Sequence, residues 1–276
     1  MTARQAEIIE LIRKEVKPAL GCTEPIAVAL AVAKAMEIVA EQNIGLNAGW
    51  KMSDMYKLHI QVSGNILKNG MGVGIPGTGM VGLHIAAALG AVCGKSEYGL
   101  EVLNDLDEAS IARAKELVEQ KSVTVGLAET DHKLYVKASV ETNGEHCASA
   151  VIEDDHDNIV ETCFDQSVLH SAHKDGNESS SDQKSTLDYK LTVKEIYEFA
   201  DTVAYEDIRF ILESRTLNLA LAEEGLKGCY GLKVGYAISS TANKEVFGGD
   251  FLSYAMSLTA AASDARMAGC TLAAMS

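Results

Sequence analysis

Aromatic side chains are scarce in this sequence, at 5%, while Ala and Gly are abundant. A core built from small side chains packs helices close together, so tight helix contacts are expected rather than an aromatic-rich sandwich. No two cysteines stand in a C-x-x-C pair: the six thiols lie at positions 22, 93, 147, 163, 229 and 270. Zinc ribbons and thioredoxin-type redox motifs are thereby excluded. A secretory leader is also missing from the reading. The opening MTARQAEIIELIRKE carries charges throughout and has no apolar run or cleavage site. Without such a signal a disulfide framework is not expected, and most of the thiols read as buried small hydrophobes. The longest Ala/Val-rich run, Ile26 to Ala40, contains Lys34 and Glu37 and is too short to span a bilayer. Basic charge is in deficit, with 24 Lys and Arg against 39 Asp and Glu, a formal charge of −15. That sign repels phosphate backbones and anionic lipid, so no nucleic-acid and no membrane partner is expected. A soluble, cytoplasmic protein is the expectation. No internal repeat is visible.

What is present suffices for a substantial core: 276 residues at 47% hydrophobic content fit one large domain or two intimate lobes. Residues 3 to 17 space Ile8, Ile9, Leu11, Ile12 and Val16 as a helix does, and Pro18 stops them. Thr23 is the expected N-cap of an Ala-rich helix, with Glu24 and Pro25 in its first turn. LHIQVSGN reads as a strand leading into the Gly-rich segment 69–79, with a helix over roughly 80–92 and another over 105–120. Short strands follow: SVTVGLAE, KLYVKASVET, EHCASAVIED and NIVETCF. They are separated by turn residues that include Asn143-Gly144, a strong hairpin signal, and predict an antiparallel meander. Residues 171–187 are polar and read as a mobile linker. Beyond it, 192–226 and 249–268 read as helices around a Gly-punctuated turn at 228–235.

The expected fold class is α+β. A helical lobe is formed from N- and C-terminal segments, and an α+β lobe containing an antiparallel sheet is inserted between them. The boundaries are 1–50 for the first part of the helical lobe, 51–170 for the α+β lobe, 171–190 for the linker and 191–276 for the second helical part.

Two thiols stand out by position. Cys22 lies between a glycine and the expected start of a helix, where free N–H groups and positive potential favour the thiolate that a metal or cluster needs. The plainer reading is a cysteine in a tight turn. Cys270 follows Gly269, a natural residue for ending the last helix, so it should emerge just past that end; as apolar filler in an Ala-rich stretch it would need no function. If the terminal helical blocks pack together, the two could meet at one site.

Four blocks carry a family resemblance: Gly21-Cys22-Thr23-Glu24-Pro25; Lys68-Asn69-Gly70-Met71-Gly72-Val73-Gly74-Ile75-Pro76-Gly77-Thr78-Gly79; Glu223-Glu224-Gly225-Leu226 with Gly231-Leu232-Lys233-Val234-Gly235; and Ala262-Ser263-Asp264-Ala265-Arg266-Met267. In this order, and spanning nearly the whole chain, they resemble the serine dehydratase alpha-chain and L-cysteine desulfidase family of iron–sulfur amino-acid lyases. The desulfidase branch is the nearer of the two. The resemblance implies an oxygen-sensitive [4Fe-4S] cluster held by three cysteines with one iron open. It also implies conversion of L-cysteine to pyruvate, ammonia and sulfide, or in relatives the dehydration of L-serine. The open iron would act as a Lewis acid while a base removes the Cα proton. Carried over by position, Cys22 and Cys270 would be two of the cluster ligands. Asn65, Lys68 and Asn69 would hold the carboxylate or amino group of a small amino-acid substrate, a lysine suiting a carboxylate as a point charge. No general base is assigned.

The family's members continue past the Asp-Ala-Arg-Met block to a third cluster cysteine, and Cys93, Cys147, Cys163 and Cys229 do not fall in its place. A cluster on two protein thiolates would be labile. The resemblance therefore leaves open a fragment, a partner chain that completes the site (one subunit of a split L-serine dehydratase), or a non-catalytic remnant or ligand-binding module of the same fold. The small-residue helices would also suit a homo-oligomer.

Other motifs are set aside. Gly72, Gly74 and Gly77 match a dinucleotide fingerprint, but Pro76 sits inside the turn and no βαβ series follows. These glycines are expected to let the backbone approach a ligand or a neighbouring helix. Asp154-Asp155-His156-Asp157 reads as a solvated hairpin turn, and His170 and His173 as solvent-facing residues beside the linker. Glu223 and Glu224, adjacent on a helix, point about 100° apart and cannot form one acid–base pair.

Overall fold

The structure, a computed structural model, describes residues 1–43, 55–142, 146–172, 191–240 and 250–275. Its centre is a six-stranded sheet in the order β3-β2-β4-β5-β6-β7. The strands are β2 (Met55–Val62), β3 (Val123–Leu127), β4 (Tyr135–Thr142), β5 (Cys147–Glu153), β6 (Ile159–Phe164) and β7 (Ser167–Ser171). Strands β2 and β4 to β7 pair antiparallel along the sheet, which bears out a mixed α+β fold containing an antiparallel sheet.

Two details differ from the sequence reading. β3 is not part of the meander. It pairs parallel with β2, Leu58 opposite Val123 and Val62 opposite Leu127. The chain reaches it through a helical crossover, the kind of connection a parallel pair requires. The second difference is β7, taken in part for linker. Asp165 and Gln166 both adopt positive φ, 45° and 68°, a left-handed pair that turns β6 back as a tight hairpin. An Asp-Gln pair carries a weaker turn signal than Asn-Gly. Asn143-Gly144, His173 and residues 173–190 of the expected linker lie outside the described residues.

Helix α2 (Thr23–Asn43) is buried on almost every side. Together with α4 (Leu83–Cys93) it covers one face of the sheet, α2 lying against β4 and β5. A helix with so few charges belongs in a core; of its four charged residues the two in its middle are paired, Lys34 with Glu37 at 3.3 Å, and Glu37 also accepts the Ser96 backbone N–H at 2.7 Å. The alternating burial of β4 points Val136, Ala138 and Val140 at this layer. The expected close helix contact is found where α2 crosses α4. A Cβ added to Gly90 would stand 2.4 Å from the Ala29 carbonyl oxygen.

Helix α1 (Ala3–Glu15) keeps company with the C-terminal helices instead. Arg4 pairs with Glu195 of α6 (Val193–Thr202) at 3.0 Å, and the Arg13 guanidinium lies 3.7 Å over the Phe210 ring. The two first helices thus lie in different environments, α1 beside the C-terminal helices and α2 against the sheet. The expected helix over 192–226 is broken at Val203 into α6, a short α7 (Tyr205–Ile208) and α8 (Leu212–Gly225). The Thr202 hydroxyl bonds back to the Glu198 carbonyl at 2.6 Å, a local alternative that loosens helix ends. The helices α9 (Val234–Ser239) and α10 (Asp250–Met267) pack with α8 as a separate layer. Among the described residues no helix is long and apolar enough to cross a membrane.

Replacing Gly90 by Ala is expected to lower stability by about 1–3 kcal/mol, because the crossing backbone must move to admit one methyl group. Denaturant unfolding would measure it, and an unchanged midpoint would contradict the close contact.

Candidate functional site

Backbone hydrogen bonds draw distant segments to one junction. β1 (Pro18–Leu20) pairs antiparallel with β8 (Ala273–Met275), Ala19 opposite Ala274. Gly21, at φ 87°, turns the chain from β1 into α2. Cys22 rather than Thr23 takes the N-cap place, since the Cys22 carbonyl accepts the Ile26 N–H at 3.3 Å and Thr23 is already helical. α10 ends as expected at Gly269, φ 80°, with the Cys270 N–H closing on the Ala265 carbonyl at 3.0 Å. This is the six-to-one bond of a glycine-terminated helix.

The Gly-rich segment lies against that helix end. The Gly74 N–H donates to the Met267 carbonyl at 2.8 Å, and the Gly77 N–H donates to Gly269 at 3.2 Å. A Cβ on Gly74 would meet the Ala268 carbonyl carbon at 2.5 Å. These glycines serve approach to a neighbouring helix, one of the two uses expected for them. Arg266 adds a strut, its Nε–H donating to the Gly21 carbonyl at 3.0 Å.

The side chains at this junction centre on Glu24. Its Oε2 accepts the Cys22 thiol at 3.2 Å and its Oε1 accepts the Asn69 amide at 3.1 Å, while the Met267 Sδ lies 3.9 Å from the Cys22 sulfur. Burial, and then the neighbouring Glu24 charge and its hydrogen bond, push the Cys22 thiol up to about 11. Arg266 and the Thr23 backbone N–H pull the other way without prevailing. The expectation that a helix N-terminus would favour the thiolate is corrected on this account: lost solvation and an adjacent carboxylate outweigh the helix end. Burial alone would raise the Glu24 carboxyl. Hydrogen bonds from Cys22, its own N–H and Asn69, with His156 nearby, hold it below the usual carboxylate range instead.

Cys270 belongs to the same junction but to other surroundings. It is 2% exposed and packs among Leu221, Ala265, Ala274 and Tyr230. Burial, then contact with Cys270, raises the Tyr230 phenol. Cys229, beside Tyr230, is exposed. Cys93 lies at the C-terminal end of α4, and Cys147 and Cys163 on the sheet. Among the described residues no group of three or more His, Cys, Asp or Glu is placed to hold a metal ion.

Of the three expected substrate residues, only Asn69 reaches the Cys22–Glu24 pair. All three lie on a short helix α3 (Gly64–Gly70), where the end of the strand LHIQVSGN was expected to run into the Gly-rich segment, and Asn65 stands three and four residues before Lys68 and Asn69. Asn65 and Lys68 are exposed on it.

The turn 154–157 was missed as part of this region. Asp157 accepts the Lys17 ammonium at 2.6 Å, and His156, Asp155, Lys17 and Thr23 line a small polar cavity of about 180 Å³ beside Glu24. The signal available in the sequence was charge: Lys14 and Lys17 precede β1, and three aspartates occupy the turn. Glu223 and Glu224 diverge as expected, Glu224 pairing with Lys227 and accepting the Tyr230 hydroxyl at 3.3 Å.

The thiol electrostatics predict reactivity. Alkylation of Cys22 by iodoacetamide should stay slow until the pH approaches about 11, whereas Glu24→Gln, which removes the adjacent charge, should speed it at pH 8 by roughly tenfold. Mass spectrometry of the labelled peptide measures both rates, and equal rates in the two proteins would refute the coupling.

No protein-family model matches the chain, and no solved structure matches it. Curated relatives do. It is 42% identical over 272 residues to the UPF0597 protein of Phocaeicola vulgatus, covering 98% of this chain and 59% of that one. Identity to the UPF0597 protein of Shewanella halifaxensis is also 42%, over 270 residues, 97% of this chain and 60% of the relative. To the UPF0597 protein VP2173 of Vibrio parahaemolyticus it is 38% over 276 residues, 100% of this chain and 62% of the relative. The chain thus spans about three fifths of the length of the curated UPF0597 proteins to which it is similar.

Proposed function

We propose that the chain carries part of the active site of a cytoplasmic iron–sulfur amino-acid lyase of the L-cysteine desulfidase type. The observation that supports this reading is the convergence of three of the four motif blocks. Cys22, Asn69, the Gly-rich segment and the Asp-Ala-Arg-Met helix end meet at one junction, although nearly 250 residues separate the first from the last.

The donor set fits a [4Fe-4S] cluster only in part. Cys22 and Cys270 bring two thiols to the junction from different surroundings, and the described residues contain no three-ligand group. No reaction step is therefore drawn through the cluster. The chain's own residues can bind and orient a small zwitterion: Asn69 and Glu24 offer an amide and a carboxylate side by side, and the exposed Lys68 precedes Asn69 on α3. A second reading is favoured by one observation, the hydrogen bond at 3.2 Å that commits the Cys22 thiol to Glu24. It is a ligand-binding module that keeps the fold without a cluster.

Anaerobic reconstitution with iron and sulfide separates the two. The lyase reading expects a brown protein that releases sulfide from L-cysteine. Cys22→Ser should abolish the colour with circular dichroism unchanged, a larger effect than the roughly 10–100-fold cost of losing a supporting partner. Cys147→Ser, on the sheet, should leave it intact. A colourless protein that still binds L-cysteine by calorimetry, with affinity lost in Asn69→Ala, would support the module instead.

A further inference from the structure

The C-terminal helices have an unfinished core. Among the described residues from Val193 onward the buried apolar side chains are few, and most are alanines. Ala222, Ala261, Ala265 and Ala274 accompany Leu221, Ile238 and Cys270, while large apolar side chains such as Leu212, Tyr236, Phe251, Leu252 and Tyr254 stand exposed. This layer buries little large apolar surface of its own, and large exposed apolar patches mark interaction sites.

The geometry of the open side is specific. An elongated groove of about 490 Å³ runs between α8 and α10. From α8 it is lined by Arg215, Leu219 and Ala222, and from α10 by Leu258, Ala262 and Arg266, with Met275 of β8 at one end. On each helix these positions recur at three- or four-residue spacing, so both present a stripe to a common channel. Two antiparallel or crossed helices with stripes facing one groove form the seat of a third helix.

We propose that this groove binds an amphipathic helix with an apolar stripe and one acidic end. That helix would be carried by the polypeptide that makes up the two fifths of the UPF0597 relatives' length not spanned here. Length supports the choice, because the relatives contain the additional chain and the groove lies in the layer whose core is thin. Charge supports it as well. Arg215 and Arg266 both stand toward the end of the groove where α8 begins and α10 ends, in a molecule of net charge −15, so the complementary partner carries carboxylates there. A second copy of this chain is the poorer occupant, since it would set arginine rims face to face and bring two strongly acidic bodies together. Arg266 links the groove to the site, because its Nε–H also holds the Gly21 carbonyl beside Cys22.

The test uses the intact chain and, as probe, the unmatched part of the Phocaeicola vulgatus protein produced as a separate polypeptide. A one-to-one complex is expected by light scattering, with slowed hydrogen exchange at 215–222 and 258–266. Leu219→Glu and Leu258→Glu should each weaken the complex by roughly 30-fold or more, while Leu127→Glu on the sheet's edge strand leaves it unchanged. Arg215→Glu, an exposed rim residue whose change does not endanger folding, should weaken it and flatten its salt dependence. The proposal is overturned by the absence of a complex, by a complex indifferent to these substitutions, or by a dimer of the chain alone that the groove substitutions dissociate.

Discussion

The contact on which the arrangement depends is backbone against backbone. Gly74 and Gly77 donate to Met267 and Gly269, and there is no room at Gly74 for even a methyl group. Individually such bonds contribute about 0.5–1.5 kcal/mol. Their effect is geometric: they hold the sheet with its two covering helices to the end of α10 without long side chains between them. Everything at the junction follows from that distance. Arg266 can reach Gly21, Met267 can touch Cys22, and β8 can pair with β1 only because the Gly-rich segment lies flat on the helix end.

At that junction a local rule is overruled by its surroundings. The start of a helix favours an anion, and at Cys22 the Thr23 N–H does act in that direction. But the same turn carries Glu24, whose carboxylate accepts the thiol and is itself stabilised as an anion by Asn69 and His156. One negative charge is favoured there and Glu24 holds it. Any ligand that takes the thiolate of Cys22 must first displace this hydrogen bond. The proton then leaves a carboxylate–thiol pair rather than an isolated cysteine.

How much of this was readable in advance follows the range of the interactions. Helix ends marked by Pro18 and Gly269, the Ala-rich central helix and the alternating strands of the meander are local patterns, and they appear as read. The parallel seating of β3 and the separation of α1 from α2 into different environments were not readable, because each depends on which distant surface a segment can bury most area against. The site shows the same split. Cys22 and Asn69 were singled out and lie together. Glu24 reads from the sequence as a first-turn and motif residue with no partner of its own, and the turn at 154–157 as a solvated one, although its Asp157 meets Lys17 across 140 positions of sequence.

The thin helical layer and the partial donor set bear on each other through α10. One side of this helix supplies the stripe of the open groove, its end supplies Met267 and Cys270, and Arg266 stands between them with its guanidinium on Gly21. A helix seated in the groove would fix the rotamer of Arg266 and with it the turn that presents Cys22. A partner that completes the apolar layer would therefore act on the site even if it contributed no ligand of its own. This makes the two proposals separable. A ligand supplied by the partner changes which atoms surround Cys22, whereas ordering through Arg266 changes only how firmly the existing ones are held, and an Arg266 variant would abolish the second effect while leaving the first.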